Sequence, residues 1–320
     1  MPWSIRLEEE LDLRFCTLGS GSRGNAAVVV GDGPALLIDL GLGPREIARR
    51  LLGVGLSWER IGAVALTHTH GDHCKPATLK KLLGLGLTLW CHPGHHDELG
   101  RMDGFRELWS AGLVRSFDTQ PFLATTGLWV EPSPVFHDSD PTFCFRVECR
   151  AGSTRGGGWS IGYLADTGVW DARLAEFMTD VQLLALEFNH DEEMQLRSGR
   201  PSFLIERVMG SRGHLSNRQA AELVAAILTR SCPRMLQRLV LLHLSEQCNR
   251  PRLALRAAED AIDGQNHRIE VDVAPAHQAA VFDLVAAARR PRMPGLTRRV
   301  TRPGRVPAIG HLLFPDSSSS

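Results

Sequence analysis

Apolar residues in this chain gather in short runs separated by polar or glycine-containing breaks, interleaved with stretches that return an apolar residue every three or four positions. RFCTL (residues 14–18), AAVVV (26–30) and ALLIDL (35–40) read as strands, and PREIARRLL, with Pro44 at a first helical position, reads as a helix. A strand IGAVALT (61–67), a helix over 76–83 and a strand LTLWC (87–91) follow. The middle, residues 114–164, holds strand-like pieces broken by proline and glycine, among them FCFRVECR and WSIGYLA. Alternation then resumes: a helix over 172–178, strand VQLLALEF, a helix over 216–229, strand LVLLHL (239–244), a helix near 253–262 and strand RIEVDVA. Two alternating halves around a strand-rich middle predict an α/β layered domain with mixed sheets, without internal repeats.

Composition narrows the class. With 320 residues, 43% hydrophobic and 22% charged, the chain has ample material for a core and the balance of a globular protein. Seven cysteines without a CxxC pair, in a chain far larger than a disulfide-stapled mini-domain, point to a reducing cytoplasm. Acids occupy the N-terminal MPWSIRLEEELDLR where a signal peptide needs an apolar core, and no run is long enough for a membrane span. The net charge is zero, yet seven arginines face a single acid, Asp316, from residue 289 onward. That Arg/Pro/Gly-rich tail, ending in four serines, is expected to be disordered. Because 33 of the 36 basic residues are arginine, an arginine in the tail is weak evidence of a nucleic-acid contact.

Chemistry enters at THTHGDH, residues 67–73, directly after the strand IGAVALT. Imidazole and carboxylate are ligands for divalent transition metals, and a chain turning at a strand end can make them converge. On such a turn His68 and His70 can face one position while Asp72 and His73 face another. His137 in VFHDSD, Asp166 in YLADTG and His243 in VLLHLS also follow apolar runs, which offers further ligands from other strand ends. Cys74 is expected to pack, since hydrolysis by activated water needs no thiol, and His92, His95 and His96 of CHPGHH are expected in a surface turn.

Taken in order, LLIDLG, THTHGDH, His137, ADTG and His243 resemble the metallo-β-lactamase fold hydrolases, over residues 14–274. The resemblance implies a four-layer αβ/βα sandwich with two mixed β-sheets and metals at one sheet edge, in a domain spanning residues 1–288, with the tail at 289–320. It implies that His68, His70 and His137 hold one divalent ion, that Asp72, His73 and His243 hold a second, and that Asp166 bridges them. Two cations about 3.5–4 Å apart can share a hydroxide, lower its pKa towards neutrality and stabilise a developing oxyanion. Zinc suits five histidines among seven ligands; manganese suits a phosphodiesterase with two aspartates and open positions. Asp39 is expected behind the ligands, orienting one of them by hydrogen bonding.

Three further stretches bear on the substrate. GSGSRGN (19–25) lies between strands and lacks the GK[ST] of a phosphate-binding loop; it looks like the opening of the phosphodiesterase and nuclease branches, which makes Ser20 and Asn25 candidate substrate contacts. In GHLSNRQ, Ser216 and Gln219 have capping-box spacing, so a helix starts there with His214 just ahead of it. Free N–H groups at that terminus attract phosphate, and His214 could protonate a leaving oxygen. The arrangement is similar to a His-Ser/Thr motif of transfer-RNA-processing nucleases. HLSEQCN (243–249) and EFNHD (187–191) resemble patterns of a bacterial exonuclease subfamily acting on DNA, with Cys248 and His190 departing from it, and add Asn189, Ser245 and Asn249 as candidate contacts. Together these imply a cytoplasmic binuclear hydrolase, most simply a DNA exonuclease using Asp72 and His214 in catalysis, with DNA favoured over RNA. The alternatives are a cyclic phosphodiesterase or thioester hydrolase of the same fold and, from another class, a catalytically silent binding protein.

Overall fold

The computed structural model describes residues 13–149 and 158–284. Among the described residues, fourteen strands form two seven-stranded sheets. The first contains β1 (Leu13–Gly19), β2 (Ala26–Val30), β3 (Ala35–Ile38), β4 (Ile61–Ala65), β5 (Thr88–Cys91), β6 (Val114–Ser116) and β14 (Ala280–Leu284), in the order β14-β1-β2-β3-β4-β5-β6. The second contains β7 (Phe122–Thr125), β8 (Leu128–Val135), β9 (Thr142–Cys149), β10 (Trp159–Leu164), β11 (Leu183–Glu187), β12 (Arg238–Leu242) and β13 (Glu270–Val273), in the order β13-β12-β11-β10-β9-β8-β7. Each sheet is antiparallel over one half and parallel over the other: β3 to β6 and β10 to β13 run parallel. Parallel neighbours need a crossover, and the helices Pro44–Gly53, Pro76–Leu85, Ala172–Phe177, Asn217–Arg230 and Pro251–Ile262 supply them.

The alternation of side chains along each strand divides the interior in three. Phe15, Val29, Leu36, Ile38, Ala63 and Ala65 of the first sheet face Phe145, Val147, Ile161, Tyr163, Leu183 and Val240 of the second. The intervening residues Cys16, Val28, Leu37 and Val64 point outward, onto Ile47, Leu51, Leu79 and Leu82 of two helices. On the opposite side Leu184, Leu186, Leu239 and Leu241 meet Leu174, Ala220, Leu223, Val224, Ile227 and Ala254. Strands buried on both faces explain why their sequences are continuous apolar runs. The result is the four-layer sandwich with two mixed sheets that the sequence implies.

The strand expected over residues 35–40 stops at Ile38, because Asp39 adopts a left-handed conformation with φ of 64°. β14 and the helices Glu192–Leu196 and Ser202–Met209 were not anticipated. AVFDL closes the first sheet by pairing antiparallel with β1, a partner more than 260 residues away in sequence that no local pattern announces. The tail expected to be disordered lies outside the described residues. Among the described residues no helix is long and apolar enough to cross a membrane.

Candidate metal centre

Strand direction builds the site. β3, β4, β8, β10, β11 and β12 all end at one edge of the sandwich, where open α/β sheets place their ligands. Past those ends come Asp39, the 68–73 loop, His137, Asp166, the terminal residue Glu187 and His243. The 68–73 loop is pinned by its neighbours: Asn25 N–H donates to Asp72 O at 2.7 Å, and Leu40 N–H donates to His73 O at 2.7 Å. His243, like Asp39, is left-handed, with φ of 54°. Two of the four non-glycine residues with positive φ among those described therefore lie at this edge, a conformation that costs about 1–3 kcal/mol and persists where the surroundings enforce it.

All seven sequence-predicted ligands meet here. His68, His70 and His137 form one group of donors; Asp72, His73 and His243 form another; and His68 and His73 also share a group with Asp166. His137 Nε2 lies 3.3 Å from His70 Nδ1. Asp166 Oδ2 is 2.7 Å from His73 Nε2 and 3.8 Å from His68 Nε2, while its Oδ1 is 2.5 Å from His243 Nδ1. Asp72 Oδ2 stands 3.8 Å from His73 Nε2 and 3.7 Å from His243 Nε2. His68, His73, His137, Asp166 and His243 are buried; His70, Asp72 and His214 keep 30%, 25% and 21% of their side chains exposed and so mark the open side.

This donor set fits divalent cations. His68 Nε2, both Asp166 oxygens and His243 Nδ1 are buried without an aligned hydrogen-bond partner, although they crowd one another. Orphaned donors of that kind are costly inside a protein unless a cation satisfies them. Charge balance in the protein alone is lopsided. Burial drives the His68 imidazole well below its usual range. Burial opposes charge on His73 too, but Asp166 and Asp39 outweigh it and push it up to about 10. Burial would raise the Asp72 carboxyl, yet the nearby His243 and His73 imidazoles hold it at about 2.

The surrounding side chains orient this set. Asp39, fully buried, accepts from Thr67 N–H at 2.8 Å and from Thr67 Oγ1 at 2.9 Å, and its Oδ2 holds His73 Nδ1 at 2.8 Å. Glu187, also fully buried, accepts from Thr167 N–H at 2.9 Å and Leu215 N–H at 3.1 Å through one oxygen. Its other oxygen meets His214 Nδ1 at 2.9 Å, and Asp166 Oδ1 lies 3.1 Å from the same nitrogen. Burial opposes charge on His214 as well, but Glu187 and Asp166 raise it to about 9.

The residues that the sequence offers as substrate contacts or structural supports, together with Ser216, lie around these strand ends. Ser20 Oγ accepts from His243 N–H, and Asn25 Oδ1 accepts from Gly21 N–H while its amide nitrogen sits 2.8 Å from His73 Nε2. Asn189 donates to His243 O, and Asn249 donates to Phe188 O and pairs with Asn217. Ser216 accepts from Gln219 N–H and donates to Glu192, completing a capping box. These five side chains are buried, and each has at least one protein hydrogen-bond partner at the strand ends. Ser245 Oγ, half-buried, accepts from Cys248 N–H.

His95 is buried, bonded through Nε2 to Pro141 O, which corrects its expected place in a surface turn; His92 and His96 flank it. Cys74 is buried, and burial pushes its thiol pKa up, which suits packing and disfavours a nucleophile. Asp138 was missed. Its Oδ1 lies 3.3 Å from His137 Nε2 and 3.4 Å from His70 Nε2, and Arg207 holds its other oxygen at 2.5 Å. Its position directly after His137 was the available signal.

Residues 35–244 match the sequence profile of the beta-lactamase superfamily domain, a span that includes His68, His70, Asp72, His73, His137, Asp166 and His243. The chain belongs to that superfamily. Within the superfamily it is similar to Exodeoxyribonuclease WalJ of Streptococcus pneumoniae, 28% identical over 254 residues, covering 77% of this chain and 86% of the relative. Exodeoxyribonuclease YycJ of Bacillus anthracis is 27% identical over 266 residues, covering 79% and 90%. The metallo-beta-lactamase fold protein YhfI from Bacillus subtilis superposes with a TM-score of 0.60 at 18% identity, over 85% of this chain and all of that one, which establishes the shared fold. The chain is a hydrolase of the metallo-β-lactamase fold, and that fold implies divalent metal ions.

Proposed function

We propose that this hydrolase is a cytoplasmic nuclease that shortens DNA from an end, with two zinc or manganese ions at the strand-end cluster. The observation that carries the reading is the pair of adjoining donor groups with buried Asp166 between them and His214 held alongside on the open side. His68, His70 and His137 would hold one ion, Asp72, His73 and His243 the other, and Asp166 would contact both. When bound, such a pair supplies an activated water and neutralises charge on the phosphoryl oxygens. Glu187 occupies His214 Nδ1, so the atom His214 offers a leaving oxygen is Nε2. Asp39 fixes the His73 ring through Nδ1 and so leaves Nε2 to face the cluster. Similarity to two exodeoxyribonucleases over most of the chain supports DNA above RNA or a small phosphodiester.

The test is end-labelled duplex DNA carrying a 5′-phosphate or a 5′-hydroxyl, incubated with zinc or manganese and either the wild-type chain or Asp72→Ala. Stepwise shortening by the wild type and none by Asp72→Ala is the expected result. Intact duplexes after incubation with protein shown to contain two metal equivalents would overturn the assignment and direct the search to structured RNA, cyclic phosphates and thioesters.

A further inference from the structure

Helix Ser202–Met209 sits beside the centre and has no buried residue. Its C-terminal end is tied to the site at two points. Arg207 Nε donates to Asp138 at 2.5 Å, next to His137 and His70, and Val208 O accepts from His214 N–H at 2.9 Å. The helix therefore has a defined position relative to the reacting end of any substrate. Leu204, Ile205, Val208 and Met209 are half-buried and make its inner face. Phe203, by contrast, is 70% exposed, with Arg207 one turn further on the same outer face. Leu196, 62% exposed, adds a second large apolar residue on the short helix that packs against this one.

A lone exposed apolar residue would need no explanation. Here the charge around it points to an occupant. Residues 197–212 contain Arg197, Arg200, Arg207 and Arg212 against one acid, Glu206. Arg212 reaches His137 O at 3.1 Å and is more than half exposed, as is Arg207. Arg207 pairs with Asp138 and Arg212 with Asp140, and each guanidinium still keeps more than half of its side chain open to solvent. One helical turn separates Phe203 from Arg207, about 6 Å along the axis, a spacing that sets an aromatic face one nucleotide away from the cation nearest the site.

We infer that the outer face of helix Ser202–Met209 is the path of the DNA strand entering the centre, with a base stacked on Phe203 and the adjacent phosphates on Arg207 and Arg212. This rests on the nuclease reading above. Base stacking on an aromatic residue is independent of sequence, which suits an enzyme that must degrade any DNA end.

The test compares metal-loaded wild type, Phe203→Ala, Phe203→Trp and, as a control on a distant surface, Leu52→Ala. Binding of a fluorescent single-stranded DNA with a 5′-phosphate is read by anisotropy with calcium replacing the catalytic metals, alongside cleavage kinetics and sedimentation. Phe203→Ala is expected to weaken binding and raise KM about five- to tenfold, with melting temperature unchanged. Phe203→Trp should restore both, and Leu52→Ala should match wild type. Wild-type affinity and KM in Phe203→Ala would overturn the inference while leaving the nuclease reading intact. A dimeric wild type made monomeric by Phe203→Ala with unchanged DNA affinity would assign the face to a second copy instead. Failure of the wild type itself to bind or cut DNA would refute both proposals together.

Discussion

Asp39 and Glu187 show how much of this centre is held from behind. Each is fully buried: Asp39 spends its carboxylate on Thr67 and His73, and Glu187 spends its own on two backbone N–H groups and His214, beside Asp166 and His243. Replacing Asp39 with asparagine keeps the shape but removes the charge opposite His73 and sets an amide N–H against existing donors. Asp39→Asn is expected to weaken zinc affinity about 10- to 100-fold, measured by competition with a chromophoric chelator. Glu187→Gln should lower kcat by about 10²-fold with a smaller effect on KM, since His214 would lose the group that orients it. Equal losses in kcat and substrate affinity would instead show that Glu187 holds only the fold. His68, His70, Asp72 and His73 were legible in the sequence because their chemistry is packed into six residues. The duties of Glu187 were not, because its hydrogen-bond partners lie 20 to 28 positions away.

At the scale of elements, two short segments set the register of the site. The helix Asn217–Arg230 starts at a complete capping box, and its buried positions Ala220, Leu223, Val224 and Ile227 repeat at i, i+3, i+4 and i+7. Ser216→Ala removes that cap and the contact with Glu192, and is expected to cost about 1 kcal/mol in chemical denaturation. Gly41 is the tighter constraint. A Cβ there would stand 1.7 Å from Asp72 O and 2.5 Å from Asn25 N, within the bonds that pin the 68–73 loop. Gly41→Ala is therefore expected to destabilise the protein by more than about 3 kcal/mol, or to yield folded protein that binds no metal. A variant with wild-type stability and metal content would show that the loop can yield. The capping box was visible as a spacing in the sequence; the close approach at Gly41 was not, since it arises between chain segments that neither Gly nor its neighbours specify.

For the whole molecule, five strand ends and one loop place buried carboxylates and imidazoles within a few ångströms, a concentration of donors that is unfavourable without cations. Metal binding should therefore contribute to folding stability. Adding zinc or manganese to chelator-treated protein at about 100 times its dissociation constant is expected to contribute about 2.7 kcal/mol, a rise of roughly 5–10 °C in melting temperature by calorimetry. An unchanged melting temperature would mean that the ions bind the unfolded chain equally well or that the cluster holds none. The layered core is the complement of this arrangement: three apolar clusters fill the layers, and the buried carboxylates Asp39, Asp166 and Glu187 gather at the edge where the strands end.

Sequence alone determined the alternation of strands and helices, the clustering of imidazole and carboxylate over residues 68–73 and the order in which His137, Asp166 and His243 follow. Those features are local, because apolar period, capping and ligand type are written in consecutive residues. Tertiary structure decided the rest. It gave Ser20, Asn25, Asn189 and Asn249 their hydrogen-bond partners at the strand ends, buried His95, brought Asp138 and Arg207 to the rim, and added β14 to close a sheet. Each of these outcomes depends on which distant segment arrives to take a hydrogen bond or cover a face, and only the packed sheets settle that.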